Sequence, residues 1–274
     1  MQSIEFIGHL VADPTPKTTP NGVNVTSFTV AVTRMSKNAQ GEFVIPENSP
    51  AAVAEARKRG YEGIECDVHL TKDSVMVILQ DATLNRTARR ASDYSKFEEP
   101  VRLKDLTFEE LRRDYVLESE DPELRTPIPT LEELLDACRK HKMIPMLHSA
   151  LWESYEVAQK MFGNKWICFT GGVEYMQKVR KFSDCMILLS INDGTAEENL
   201  NRLKAIGGKC GISTMKYHLY TPEFCKTLTD AGYHVQASIF PPEPEKEAIG
   251  NGITYLLTDR VLPARRWKRV KTRH

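Results

Sequence analysis

The chain has 274 residues, enough to bury a sizeable core and to form a single α/β barrel. Lys+Arg and Asp+Glu each number 37, so the formal net charge is zero and the overall field favours neither nucleic acid nor acidic substrates. No run of about 18 apolar residues suits a membrane span, and the N-terminus lacks a basic stretch followed by an apolar one, so the expected location is the cytoplasm.

Residues 1–41 read as a β-rich appendage. They contain Ile4-Glu5-Phe6-Ile7-Gly8-His9-Leu10, then Ala12-Asp13-Pro14, then Thr18-Thr19-Pro20-Asn21-Gly22-Val23, then Thr26-Ser27-Phe28-Thr29-Val30-Ala31-Val32-Thr33-Arg34. The Pro-Asn-Gly tripeptide is a turn between alternating strands. This segment resembles the opening of a bacterial single-stranded DNA-binding protein, which implies the first strands of an OB-fold. Such a barrel closes with five strands and takes many of its base-stacking aromatics from the later ones. Only Phe6 and Phe28 precede the next region, so a complete single-strand-binding domain is not encoded.

From residue 42 onward strand-like and helical patterns alternate, the signature of a parallel α/β fold. Strand-like runs lie at 63–70, 75–80, 143–148, 166–170, 185–191, 210–215, 234–240 and 254–258, with helical patterns at 51–59, 131–141, 152–162, 174–182, 197–206 and 222–231. A polar insertion occupies 88–125, and the barrel-like region ends near residue 263. Arg265, Arg266, Lys268, Arg269, Lys271 and Arg273 make 264–274 a basic tail, read as a solvated terminus. The six cysteines show no C-x-x-C pair and sit mostly in apolar strand-like runs, which suits buried free thiols in a reducing compartment.

The chemistry centres on Gly63-Ile64-Glu65-Cys66-Asp67-Val68-His69-Leu70. Side chains alternate across a strand, so Glu65 and Asp67 share a face; on spacing alone such a pair reads either as two solvated acids at a strand end or as the ligands of a hard divalent cation held between them. Around that strand stand Pro46-Glu47-Asn48-Ser49, Gln80-Asp81-Ala82-Thr83-Leu84-Asn85-Arg86-Thr87, Ile128-Pro129-Thr130-Leu131-Glu132-Glu133-Leu134-Leu135 and Leu256-Leu257-Thr258-Asp259-Arg260. In this order the motifs resemble those of the glycerophosphodiester phosphodiesterase family, over about residues 43–263.

That resemblance implies a TIM-type (β/α)8 barrel with a small cap formed by the insertion. It also implies a metal-dependent phosphodiester hydrolysis with two histidines as acid and base. Glu65 and Asp67 carry over as metal ligands, with Mg or Ca as the expected cation and an empty site as the other reading. The remaining positions depart from the family pattern. Gln80 stands where the second histidine precedes Asp81, and a primary amide exchanges no proton near neutral pH. The first histidine belongs to a His-Arg-Gly tripeptide absent here; if residues 27–34 supply the first barrel strand, Thr33 takes its place and Arg34 follows. Leu147-His148-Ser149-Ala150 stands where the family has a third acid and a lysine, so His148 replaces the acid.

His148 ends a strand at the barrel mouth, and imidazole joins two carboxylates in binding transition metals. His69 shares the parity of Glu65 and Asp67 and is read as a rim residue. Lys216, near a late strand end, is a candidate phosphate contact. The expectation is a phosphodiesterase-like protein acting on a small phosphodiester and catalytically impaired. A non-catalytic barrel that binds a phosphate-bearing ligand or a partner is the alternative, and single-stranded DNA binding through the appendage is the third reading.

Overall fold

The computed structural model describes residues 17–18, 24–25, 28–31, 45–238 and 251–258. Eight parallel strands form a ring: β1 (Phe28–Ala31), β2 (Gly63–Leu70), β3 (Ile144–His148), β4 (Ile167–Thr170), β5 (Met186–Ser190), β6 (Cys210–Thr214), β7 (His234–Ser238) and β8 (Tyr255–Thr258). The ring closes because β1 lies between β8 and β2, with Tyr255 opposite Phe28 and Val30 opposite Gly63. Closure of this kind leaves no free sheet edge and identifies a TIM-type (β/α)8 barrel. A short antiparallel pair, Lys17–Thr18 with Asn24–Val25, precedes it. Thr33, Arg34 and the basic tail lie outside the described residues.

The strand-like run at 75–80 is not a barrel strand. Met76–Ile78 runs antiparallel to β2, with Leu70 opposite Met76 and Val68 opposite Ile78. The cause is a tight turn in which the Thr71 hydroxyl accepts from the Val75 N–H at 3.0 Å and donates to Asp73 at 2.7 Å, with Ser74 at φ 65°. A parallel return needs a crossover of a dozen residues or more, and here there is no room for one.

The helices carry their own start and stop signals. Helix α1 (Pro50–Arg59) has Pro50 in its first turn and Ser49 as N-cap, whose hydroxyl accepts from the Ala52 N–H at 3.1 Å. Gly60 ends it at φ 95°, a left-handed conformation that favours glycine. Within the insertion sits the short helix α2 (Phe108–Asp114), opened by the reciprocal Thr107–Glu110 capping box. Reciprocal boxes also open α3 (Leu131–His141), through Thr130 and Glu133, and α6 (Ala196–Ile206), through Thr195 and Glu198. Between α3 and α6 lie α4 (Trp152–Phe162) and α5 (Val173–Phe182), and α7 (Pro222–Asp230) follows α6. Among the described residues, no helix is long and apolar enough to cross a membrane.

Among the described residues, three apolar clusters result. The largest joins the helices to the outward faces of the strands and takes in Ile64, Cys66 and Val68 of β2. Met146, Ile167, Leu188, Tyr255 and Leu257 form a smaller cluster drawn from the barrel strands. A separate cluster under the insertion joins Val77, Leu79, Leu84, Leu103, Leu111, Leu117 and Ile128. The insertion is thus a cap seated on the Met76–Ile78 hairpin arm. All six cysteines are buried and free.

At the opposite end from the mouth, the His234 ring lies edge-on to Tyr255, centroids 4.9 Å apart. Burial pushes its imidazole down from 6.5 to about 4. The ring is therefore neutral in the fold but takes a proton in the unfolded chain below its ordinary value. Its contribution to stability is complete above pH 6.5 and lost as pH falls toward 4, by at most about 3 kcal/mol. Urea unfolding from neutral pH down to pH 4 will show a steeper loss for wild type than for His234→Phe. Equal slopes for the two proteins would refute this assignment.

Candidate active site at the barrel mouth

Alternation along β2 turns Glu65 and Asp67 away from the helix-side cluster that holds Ile64, Cys66 and Val68. The register of β2 against β3 sets Asp67 opposite His148. The His148 Nδ1 accordingly lies 2.8 Å from Asp67 Oδ1 and 3.5 Å from Glu65 Oε1. One ligand atom from each of the three residues lies within 4.8 Å of the others. Phe169, in register with His148 on β4, places its ring centroid 4.7 Å from the imidazole and backs it.

Glu65 and Asp67 are only 4% and 6% exposed, whereas the His148 side chain is 48% exposed and faces the opening. Burial, followed by the charge of Asp67, pushes the Glu65 carboxyl above its usual range. The imidazole of His148 moves up as well, chiefly through its hydrogen bonds to Asp67 and Glu65. Two carboxylates confined together without enough positive charge account for both directions.

Asn48 completes the floor. It is fully buried at φ 54°, a left-handed conformation asparagine tolerates, and its Oδ1 accepts from the Asp67 N–H at 3.4 Å. Neither Asn48 Nδ2 nor Asp67 Oδ2 has a hydrogen-bond partner, although both are buried. A buried carboxylate oxygen without a partner is costly unless something positive meets it. The donor set of Glu65, Asp67 and His148 therefore fits a divalent cation.

The other candidates take their places around this cluster. Gln80 follows the Met76–Ile78 arm beside Leu79, whose N–H donates to the Asp67 carbonyl at 3.2 Å. Its side chain is half-buried, with Oε1 buried and without a partner. His69 lies farther along β2, opposite Val77, and lines a cleft with Leu70, Thr83, Arg102 and Lys104. Lys216 is exposed just beyond β6, its N–H held by the Thr214 hydroxyl at 2.9 Å. Behind His148, the Tyr175 hydroxyl donates to the Ala150 carbonyl at 2.9 Å and fixes the loop leaving β3.

Residues 37–161 match the model of the Glycerophosphoryl diester phosphodiesterase family. Over those residues, just under half of the chain, the protein is similar to that family. Mouse (Mus musculus) glycerophosphodiester phosphodiesterase 1 is 32% identical over 142 residues, covering 47% of this chain and 40% of the mouse protein. The chain thus spans less than half the length of that curated relative. An Oleispira antarctica phosphodiesterase, solved in complex with the product sn-glycerol-3-phosphate, is similar in fold, with a TM-score of 0.62 and 18% identity. That likeness covers 86% of this chain and 93% of the other. A stretch of 37 residues is 58% identical to single-stranded DNA-binding protein 2 of Staphylococcus aureus, covering 14% of this chain and 27% of that protein.

Within the phosphodiesterase-family motifs, sequence reasoning gave no role to Glu47, Asn48, Asp81 or Arg86. The structure supplies one. Arg86 reaches Glu47, 1% exposed, at 2.5 Å and Asp81 at 2.6 Å, so it ties the Pro46–Ser49 loop to the loop that carries Gln80. The Ser49 hydroxyl donates to the Pro46 carbonyl at 2.6 Å and closes the same loop around Asn48. The available signal was the co-occurrence of the two motifs, one holding an acid, Glu47, and the other a base, Arg86.

Proposed function

We propose that the barrel mouth holds a divalent cation on Glu65, Asp67 and His148, and with it a small phosphate-bearing ligand of the glycerophosphodiester class, which it hydrolyses slowly. The observation that carries this is the buried, unpartnered Asp67 Oδ2 beside Glu65 and His148. The family-model match over residues 37–161 and the phosphate ligand named for the Oleispira antarctica phosphodiesterase support the ligand class. When bound, the cation supplies charge neutralisation for the phosphoryl oxygens. The chain's own residues do the remaining work. Asn48 holds the Asp67 backbone, Phe169 and the β3 register orient His148, and Lys216 supplies positive charge at the rim.

Slow turnover follows from the proton carriers. Hydrolysis needs a base for the incoming water and an acid for the departing alcohol, and general acid–base groups contribute about 10²–10⁴-fold. Gln80 offers an amide where such a group is expected. Its presence also favours the second reading, a barrel that binds a phosphate-bearing ligand without cleaving it. Binding of single-stranded DNA gains no support from β1, whose backbone is paired with β8 and β2 inside the ring. The six buried free thiols support a reducing compartment such as the cytoplasm.

The test is alcohol release from a glycerophosphodiester with Mg, Ca, Mn or Zn present, with Glu65→Ala as control. Slow, cation-dependent release that Glu65→Ala abolishes is the expected result. Absence of release with every cation, together with thermal stabilisation by sn-glycerol-3-phosphate, would replace hydrolysis with the binding reading.

A further inference from the structure

We infer that the cation site at the barrel mouth is selective for a nitrogen-accepting transition ion of the Co-to-Zn series rather than for Mg or Ca, and that His148 is the residue that sets this choice. The inference rests on the proposed cation site and concerns its ligand chemistry. The sequence expectation of Mg or Ca went with the family resemblance and its two carboxylates. Hard cations such as Mg and Ca take oxygen ligands. Imidazole nitrogen suits the later divalent ions, and a set of two carboxylates and one imidazole lies on their side of the division.

The geometry makes His148 a built ligand and not a passing neighbour. Its Cα partners on the two flanking strands are Asp67 and Phe169. The ring is thus fixed between the carboxylate it meets at 2.8 Å and an aromatic face at 4.7 Å. The nitrogen turned toward the acids is Nδ1, and it approaches both of them. Asp67, 6% exposed, keeps Oδ2 buried and without a partner beside that nitrogen, so a carboxylate oxygen remains available to a cation. Two carboxylates and a neutral imidazole sum to −2, which matches a divalent ion. A Mg or Ca ion would use only the two acids and leave the third position to a nitrogen it binds poorly.

The test uses the full chain freed of metal with a chelator, titrated calorimetrically with Mg, Ca, Mn, Co and Zn, and repeated with His148→Glu and Glu65→Ala. Mn and Cu bound to the protein are also examined by pulsed electron paramagnetic resonance for coupling to a ¹⁴N nucleus. Circular dichroism establishes that each variant folds. Expected are tighter binding of Co and Zn than of Mg and Ca, ¹⁴N coupling in wild type that His148→Glu removes, and a fall in the Co-to-Ca affinity ratio of about tenfold or more in that variant. A ratio unchanged by His148→Glu, or absence of ¹⁴N coupling, overturns the inference. Mg or Ca binding that Glu65→Ala abolishes would then leave the cation site standing without its selectivity. Binding of no cation at all would remove both.

Discussion

Gln80→His raises phosphodiester turnover by about two orders of magnitude, with the gain in kcat and little change in KM. The position is suited to the exchange. Gln80 is half-buried, its side-chain oxygen has no partner to lose, and its neighbour Leu79 is hydrogen-bonded to Asp67, so a ring at 80 stands at the edge of the cation cluster. An imidazole there, near its ordinary pKa of about 6.5, can give or take a proton where an amide cannot. The gain should require the cation cluster, so Gln80→His combined with Glu65→Ala returns to background. Gln80→Asn, which changes size without adding a proton carrier, should leave turnover unchanged. If Gln80→His and wild type turn over equally while both bind the cation, position 80 is not where the missing proton carrier belongs.

What the sequence revealed and what it hid divide along the range of the interactions. Glu65 and Asp67 were legible because a period of two residues on β2 fixes their common face without reference to any other element. The helices were legible from their patterns, and Ser49, Thr130 and Thr195 cap three of them by contacts satisfied within one turn. His148 was legible as the end of a strand at the mouth, but its contact with Asp67 depends on a register across 81 residues of chain. Asn48 gave no local sign, because its role comes from a left-handed backbone that aims its amide at β2 from another element. The run at 75–80 does hold a strand, Met76–Ile78, but its antiparallel direction was hidden for a related reason. Its apolar pattern is that of a strand, whereas the direction of that strand is set by the hydrogen bonds of Thr71 and the short turn behind it.

Arg89→Ala loosens the cap at a cost of about 3–5 kcal/mol to the unit it belongs to. Arg89 and Glu118 are 4% and 5% exposed, and the guanidinium sits directly on the Glu118 carboxylate while also donating to the Ala88 carbonyl at 2.6 Å. The pair bridges Ala88–Arg90 and the end of Tyr115–Leu117, the two strands that give the cap its shape. Removing one partner strands a buried charge without its counterion. Replacing both with apolar residues of similar size, as in Arg89→Met with Glu118→Leu, should recover most of the loss, because that exchange leaves no buried charge behind. The damage should also be local. The cap cluster shares Val77 and Leu79 with the arm beside the site but no residue with the helix-side cluster. Hydrogen exchange at 88–90 and 115–117 should therefore rise before exchange in β5 or β6 does. Because Leu79 also holds the Asp67 carbonyl, cation affinity should weaken in step with cap exchange, and the double replacement should restore both together. Exchange in the cap that matches wild type in Arg89→Ala would show that the ion pair is dispensable to the cap. Rising exchange with unchanged cation affinity would show that the arm holds Asp67 without the cap's help.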